Sequence, residues 1–422
     1  MRAANPLELI CILLWGWLSA DLFVFASYVP LREYAGPNFF DAWEYYNFVD
    51  NTTWGNVTYV DRGTAMSNRL TYINDAGNAV IKVDNSTFIQ PAPLVHRNSI
   101  RITSHDTYGI GSLIMIDVRH IPYGCSVWPS FWTLGTEREW PGGGEIDIIE
   151  GINMLTHNQI ALHTTPRCFQ DVNPGQTGQT IQGDCSTPQG CLVAENRPNS
   201  WGPSFAQAGG GVWALQIDVV GIFVWYWSRP DVPENISTAN STSVIDTTVW
   251  GLPSASYPAS ACNISEFFTP QQLVLLITLC GTWAGVPDIY ASTCHTPTMS
   301  CVADNVIGPG SPTYDNAFWE ISWIRTYLNN PVPLPQTSSP VQAPATPNTL
   351  IPTSSLPMTN TVGLTSVAEP TRAESSAQPS AFSMTRLLFI PLLALLEKVG
   401  APSRSNPEDK LHLKVLTRLQ IR

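Results

Sequence analysis

The sequence predicts an all-β protein built as one large sandwich of short strands. Its 422 residues include 35 prolines and 29 glycines, which punctuate strands and turns. Aromatic residues make up 10% of the chain and charged residues only 13%, a balance typical of strands with a large buried surface. Such sandwiches often take roughly 200 to 250 residues as one domain, so the length does not demand several. The formal net charge of −12 argues against nucleic-acid binding, which needs a basic patch.

The first 26 residues are typical of a secreted protein. Arg2 precedes an apolar run over residues 9–25, and Ala26 offers a small residue before Ser27. This layout predicts a signal peptide over residues 1–26. A membrane anchor is the alternative, but Asp21 interrupts the run and a carboxylate is costly at mid-bilayer.

Several strands can be placed from apolar alternation and turn residues. The predicted strands are residues 99–104 and 111–118, a hairpin of 212–218 with 222–227, one long strand over 264–279, and a closing strand over 319–325. In the closing strand, Trp319, Ile321 and Trp323 should share the core face, because alternate residues point the same way.

Three carboxylates lie in the stretch WPGGGEIDIIEG at residues 140–151. On a strand, Glu145 and Asp147 project to one face, while Ile146 and Ile148 point the other way. Glu150 follows Glu145 by five residues, an odd offset that would turn it to the opposite face. One extra residue absorbed in a bulge at Ile148–Ile149 would return it to the face of the other two acids. A solvated acidic strand is the alternative, but it leaves the apolar flanks unexplained.

This stretch resembles the Glu-x-Asp-x-x-Glu signature of glycoside hydrolase family 16 in its bulged, laminarinase-like form. The stretches HIPYGCSVWPSFW at 120–132 and NQIALHT at 158–164 resemble the family's flanking strands in the same order, and FFDAW at 39–43 resembles its opening segment. The similarity covers about residues 28–328. It implies a concanavalin A-like β-jelly-roll sandwich with a concave glycan-binding cleft.

Six further residues are candidates for the glycan groove. An indole can stack on the apolar face of a pyranose, and the resemblance favours this role for Trp132 and Trp140. Trp128 shares a strand face with Trp132, and for it a buried core position is an equal alternative. His163 would share a face with Gln159 and could hydrogen-bond the glycan or an acid. The last two candidates are Trp283, in the family-like motif CGTWAG at 280–285, and Arg101, which could instead be a surface cation.

Cysteine usage supports export. Cys11 leaves with the signal peptide, and eight cysteines remain at positions 125, 168, 185, 191, 262, 280, 294 and 301. An even number in an exported chain predicts four disulfides, whose pairing the sequence leaves open. Zinc binding is the alternative, but the chain has no Cys-x-x-Cys pair. Six Asn-x-Ser/Thr sequons, at 51, 56, 85, 235, 240 and 263, predict a glycoprotein.

Beyond the catalytic domain, predicted over residues 27–328, the composition changes. Residues 329–386 are rich in Ser, Thr and Pro, a composition that cannot build a core and predicts a disordered stalk. Residues 387–422 hold an apolar run too short to span a bilayer and then a charged tail. With Ser375, Ser376 and Ala377 upstream, the layout resembles a degenerate GPI signal, so attachment to membrane or wall through this region is one expectation.

The resemblance implies a retaining mechanism in which Glu145 is the nucleophile, Glu150 the general acid/base and Asp147 a helper between them. Retention needs the two carboxyl groups about 5 to 5.5 Å apart, whereas a straight strand would separate their Cα atoms by about 13 to 16 Å. We therefore expect a bent sheet.

The resulting hypothesis is a secreted, monomeric endo-β-1,3(4)-glucanase whose partner is β-glucan polysaccharide. The two-carboxylate mechanism requires no cofactor, and no ligand cluster for a metal, including a structural calcium, is readable. A cell-wall glucan transglycosylase of the same family is the first alternative. A non-catalytic glucan-binding protein is the second, disfavoured because all three acids are present.

Overall fold

The predicted all-β sandwich is confirmed in the computed structural model, which describes residues 27–171, 175–297 and 299–329. Two large antiparallel sheets form a β-jelly roll. The predicted signal peptide, nearly all of the Ser/Thr/Pro-rich stalk and the C-terminal apolar run with its tail lie outside the described residues.

The strands are numbered in chain order. They are β1 (Ser27–Ala35), β2 (Trp43–Tyr45), β3 (Val57–Tyr59), β4 (Thr71–Ile73), β5 (Ala79–Lys82), β6 (Arg97–Ser99), β7 (Arg101–Tyr108), β8 (Ser112–His120), β9 (Val127–Gly135), β10 (Glu145–Glu150), β11 (Gln159–His163), β12 (Gln179–Thr180), β13 (Cys191–Ala194), β14 (Gly211–Asp218), β15 (Gly221–Ser228), β16 (Ile245–Asp246), β17 (Ala255–Pro258), β18 (Gln271–Leu279) and β19 (Phe318–Asn329).

Helical segments are short and lie between strands. They span Gly36–Asn38, Arg62–Ser67, Gly202–Gln207, Arg229–Asp231, Glu234–Ser237, Ile264–Phe267, Gly281–Ala284, Pro287–Cys294 and Val302–Val306. The Arg62–Ser67 helix is capped by Asp61, whose carboxylate accepts a hydrogen bond from the Thr64 backbone N–H at 3.1 Å, as N-cap residues do.

One sheet has eight strands in the order β12-β13-β11-β10-β9-β18-β7-β2. The other has nine, with the path β16-β1-β19-β8-β14-β15-β17 and with β5 and β4 added beside β19. The predicted hairpin is confirmed as β14 and β15, paired without a register shift from Gly211–Ser228 to Asp218–Gly221. The strand with the three acids, β10, lies inside the eight-stranded sheet between β11 and β9.

The space between the sheets is filled by a large apolar core that includes Phe131, Ile146, Ile149, Trp213 and Trp319. A second cluster contains Tyr28, Met115, Trp225, Trp227, Ile236 and Trp250. Its strand members come from β1, β8, β14, β15, β16 and β19 of the nine-stranded sheet. On the longer strands they alternate with core residues, so this cluster lies on the outer face of that sheet. Chain from residues 229–250 packs onto it.

Two predictions about strands are wrong in part. Residues 264–279 are not one strand, because Ile264–Phe267 forms a helical turn and β18 begins only at Gln271, after Pro270. In β19, a register shift between Ile321 and Trp323 turns the latter away from the core. Trp319 and Ile321 are buried between the sheets as predicted, whereas Trp323 packs against the second cluster.

The predicted four disulfides are confirmed. The pairs are Cys125–Cys294, Cys168–Cys262, Cys185–Cys191 and Cys280–Cys301. Two of them tie the chain around the Gly281–Ala284 and Pro287–Cys294 helices to the sandwich. Among the described residues, no helix has the length and apolar character needed to cross a membrane.

Candidate active site

The predicted bulge in β10 is confirmed. Asp147 pairs with Ala161 and Trp132, while Glu150 pairs with Gln159 and Ser130. Three steps along β10 therefore match two steps along each neighbour, so one extra residue is absorbed at Ile148–Ile149. Ile146, Ile148 and Ile149 are all buried in the core between the sheets. The three acids consequently share the outer face of the eight-stranded sheet.

Glu145 is held by an indole from the loop that precedes its strand. Trp140 Nε1 donates to Glu145 Oε2 at 2.7 Å, and His163 Nε2 lies 4.0 Å from Glu145 Oε1. The Trp140 side chain is 59% exposed. Its loop is anchored where Gly143 passes so close to Gly135 that a Cβ on Gly135 would lie 2.0 Å from the Gly143 carbonyl oxygen.

Glu150 is held by an indole from the neighbouring strand. Trp128 Nε1 donates to Glu150 Oε1 at 2.9 Å. The Trp128 ring meets the Trp283 ring edge to face, with centroids 5.4 Å apart. Trp128 is 8% exposed, so its contact with the acid, rather than exposure, places it in the site. Trp283 thus contacts the residue that donates to Glu150.

Asp147 lies between the other two acids and is almost fully buried. His163 Nε2 lies 3.3 Å from Asp147 Oδ2, and the His163 ring centroid is 6.3 Å from that of Trp140. His163 therefore contacts the acid cluster, as one of its predicted roles required. The ligand atoms of Glu145, Asp147 and His163 lie within 4.8 Å of one another, so these three residues could also hold a metal ion.

Burial is the main cause of raised pKa values in all three carboxyl groups. Together with the other causes, burial brings the pKa of Glu145 and Glu150 to about 8 and that of Asp147 to about 7. Among these other causes, the negative charge of Asp147 raises the pKa of both glutamates, whereas His163 and the two indole donors lower it. Neighbouring buried carboxyl groups cannot all ionise together, so the cluster retains protons at neutral pH.

Arg101 lies on the floor of the same sheet face and is not a surface cation. Its guanidinium carbon is 5.4 Å from the Trp132 ring centroid and 4.5 Å from that of Tyr46, and its Nη1 donates to Thr52 Oγ1 at 3.2 Å. Arg101 is 5% exposed. It packs beside Trp132, whose indole N–H has no partner among the described residues.

The sequence reasoning missed Asn158. Its side chain hydrogen-bonds the backbone at Ile148 and Glu150, the two residues around the bulge. The available signal was its position at the start of the strand that neighbours the predicted bulge, since a bulge leaves backbone groups in need of partners.

The arrangement can carry out chemistry that needs two carboxyl groups in different protonation states. Glu145 and Glu150 each accept from a separate indole, and the nearby imidazole of His163 favours ionisation of Glu145. A third acid between them couples their titration. Two carboxyl groups with these properties, flanked by tryptophans, are what glycoside hydrolysis uses.

The chain is similar to several known proteins. Residues 43–327 match the family model described as an XgeA-like, catalytic GH16 domain. The chain is 34% identical over 332 residues to the endo-1,3(4)-beta-glucanase xgeA of Emericella nidulans, covering 74% of this chain and 50% of that protein. The chain thus spans about half the length of that curated relative.

Two solved structures show the same fold at similar identity. GH16 laminarinase 16A from Phanerochaete chrysosporium, solved with β-glucans in both donor and acceptor sites, is 35% identical with a TM-score of 0.67, covering 72% of this chain and 100% of that one. An elongating GH family 16 β-1,3-glucosyltransferase is 34% identical with a TM-score of 0.65, covering 71% and 99%.

Proposed function

The chain belongs to glycoside hydrolase family 16, and on that premise we propose that it is an endo-β-1,3(4)-glucanase that acts with retention of configuration. The observation that carries the proposal is the placement of Glu145 and Glu150 on one sheet face, each with its own indole donor and with Asp147 between them. The similarity to a named endo-1,3(4)-beta-glucanase and to a laminarinase supports the choice of substrate.

In the proposed first step, the Glu145 carboxylate attacks the anomeric carbon and the protonated Glu150 donates its proton to the departing glycosidic oxygen. The Trp140 N–H and His163 stabilise the charge on Glu145 before attack. In the second step, the ionised Glu150 removes a proton from water, which displaces Glu145 from the sugar. Burial keeps Glu150 protonated into the neutral range, which suits a general acid.

Asp147 has a supporting role in this proposal. It is the most deeply buried of the three acids, and its charge raises the pKa of both glutamates. Once Glu145 is bonded to the sugar, one negative charge is removed from the cluster and the pKa of Glu150 falls. That change suits the switch of Glu150 from acid to base.

Trp132 and Trp140 are proposed to stack on glucose residues, and Arg101 to hydrogen-bond a glucan hydroxyl beside Trp132. Trp283 and Trp128 border the site at Glu150. His163 is proposed to contact both the acids and the sugar that binds above them.

The direct test is incubation of the secreted protein with laminarin, lichenan and chitin oligomers, with reducing ends and product lengths measured together. We expect new reducing ends and shorter fragments from the two β-glucans alone, and NMR should show the β-anomer as the first product. An α-anomer as first product would exclude retention.

A transglycosylase is the second candidate, because one structural neighbour is an elongating β-1,3-glucosyltransferase at almost the same identity as the laminarinase. In that case the glycosyl-enzyme would pass its sugar to another glucan. Products longer than the starting oligomer, without net new reducing ends, would favour it.

The remaining predictions about the mature protein are proposed on the same basis: removal of residues 1–26, a monomeric catalytic domain over 27–328, and secretion with N-glycans. The sequons at Asn51, Asn240 and Asn263 are exposed. The Asn235 amide instead donates to the Asp246 carbonyl and accepts from Trp250 Nε1. Mass spectrometry of the secreted protein before and after glycosidase treatment should find glycans at the exposed positions and none at Asn235.

A further inference from the structure

The bulge in β10 leaves backbone groups that the neighbouring strand does not pair. Where one strand carries an extra residue, the ladder is locally interrupted. Ile148 and Ile149 are 1% and 0% exposed, so water cannot readily satisfy these groups. An unpaired buried donor or acceptor is destabilising, so without a partner for these groups the bulge would relax or slip in register.

One side chain supplies both missing partners. Asn158 Nδ2 donates to the Ile148 carbonyl oxygen at 2.9 Å, and the Glu150 backbone N–H donates to Asn158 Oδ1 at 2.9 Å. The Asn158 side chain is 0% exposed. Its amide thus bridges the residues on either side of Ile149 and fixes the backbone of the residue that carries the second catalytic carboxyl group.

A second layer holds Asn158 and the end of β10 in place. The Asn158 backbone N–H donates to Ser200 Oγ at 3.1 Å, and its carbonyl accepts from the Glu195 N–H at 3.0 Å. Next along the chain, Trp201 lies against Gly151, where a Cβ would come within 2.7 Å of the indole. Residues 195–201 therefore buttress both the amide and the residue after Glu150.

We propose that Asn158 is a positioning residue for Glu150: its amide holds the bulge that turns this carboxyl group to the face of Glu145. The inference rests on the proposed function, in which Glu150 protonates the leaving oxygen. It predicts a specific defect. A displaced Glu150 should impair reactions whose leaving group needs a proton and spare those whose leaving group does not.

The test uses Asn158→Leu in the full-length secreted protein and compares two substrates. Laminaripentaose needs protonation of its leaving oxygen, whereas a dinitrophenyl β-laminaribioside does not. We expect kcat/KM for laminaripentaose to fall about 100-fold, within the range for loss of general acid catalysis, and that for the aryl glycoside to fall less than about threefold. Azide, which needs no general base, should accelerate turnover of the aryl glycoside and give a β-glycosyl azide.

Controls separate positioning from general destabilisation. Asn305 is also a buried asparagine whose amide makes two hydrogen bonds, to Tyr290 and to the Cys301 carbonyl, and neither partner belongs to β10. Asn305→Leu should lower the melting temperature without separating the two substrates. Equal losses on both substrates in Asn158→Leu would overturn the proposal.

Two further variants cover the other outcomes. Should Asn158→Leu not fold, Ser200→Ala removes one contact to Asn158. It should lower kcat/KM for laminaripentaose more than for the aryl glycoside, by a smaller factor than Asn158→Leu. Equal values of this loss on the two substrates would count against the proposal. Glu150→Gln should itself lose far more kcat/KM on laminaripentaose than on the aryl glycoside, and azide should accelerate its turnover of the aryl glycoside. Its failure to do so would overturn the proposed function, and this result is independent of Asn158.

Discussion

The outer faces of the two sheets both carry tryptophans, yet these tryptophans have different neighbours. On the nine-stranded sheet, Trp225 and Trp227 are 6% and 4% exposed. On the eight-stranded sheet, Trp128 and Trp132 are 8% and 9% exposed. The exposed fraction therefore hardly distinguishes the two pairs of tryptophans. The residues that surround each pair do distinguish them.

The first pair packs against apolar chain. Trp250 meets both rings edge to face, at centroid distances of 5.4 and 5.1 Å, and Ile236 and Ile245 belong to the same cluster. The second pair lies beside charged groups, with Trp128 bonded to Glu150 and Trp132 under Arg101. The comparison shows that the candidate groove tryptophans differ from the others by the charged groups beside them, because the folded protein buries both kinds.

The largest expected effect tests the acids that define the second face. Glu145→Gln removes the proposed nucleophile and should lower kcat by on the order of 10⁴-fold, while circular dichroism shows an intact fold. A matched Glu266→Gln variant, at an exposed acid outside the cluster, should keep full activity. Unchanged hydrolysis by Glu145→Gln would remove this residue from the mechanism.

Trp250→Ala should lower stability and leave activity unchanged. It opens a cavity in the second cluster and removes the hydrogen bond to Asn235, so the free energy of unfolding should fall by about 3 to 5 kcal/mol. Urea denaturation measures this change. Activity per folded molecule should remain that of the unmodified protein; a selective loss of kcat would mean that the two faces are coupled.

Matched Trp→Phe changes on the two faces sharpen the comparison. Trp132→Phe reduces the stacking surface and should lower kcat/KM for laminarin oligosaccharides by about fivefold, in line with the energy of an aromatic contact. Trp227→Phe, of the same chemistry on the other face, should leave kcat/KM unchanged. Steady-state kinetics on both variants would contradict the assignment if the losses were equal.

The dependence of stability on pH should also differ between the faces. Burial raises the pKa of Glu145 in the folded protein to about 8, above its unfolded value of about 4.3. The folded state therefore binds more protons, and stability is greatest below the unfolded pKa and falls as pH rises toward 8. Glu145→Gln should raise the melting temperature at pH 8 by a few degrees and change it little at pH 4. A difference that did not vary with pH would contradict the raised pKa.

The smallest effect concerns the Trp128 indole, which lowers the pKa of Glu150 by donating to it. Trp128→Phe removes that donor and should move the alkaline limb of the kcat/KM profile to higher pH. Trp225→Phe is the control, since its indole donates to the Gly251 carbonyl, and its profile should not move. A shift toward lower pH in Trp128→Phe would contradict the role of the hydrogen bond.

Much of the catalytic strand could be predicted because its pattern is local. Alternation placed Glu145 and Asp147 together, and the odd offset to Glu150 required a bulge, which the structure has at the predicted position. The hairpin of β14 and β15 followed from the same alternation and a short connection. The predictions of one long strand over 264–279 and of a core position for Trp323 were wrong. A helical turn interrupts the first stretch and a register shift interrupts the second, and neither has a clear signal in the composition.

The sequence by itself determined the fold class, the number of disulfides and the acids that share a face, since these depend on neighbouring residues and on counting. Only the tertiary structure decided which tryptophans contact the acids, that Arg101 lies over the Trp132 ring, and that the Asn158 amide hydrogen-bonds the backbone on either side of Ile149. Each of these contacts joins a side chain to a different strand or loop, and its energy depends on which group lies opposite. Residue type and spacing do not contain that information.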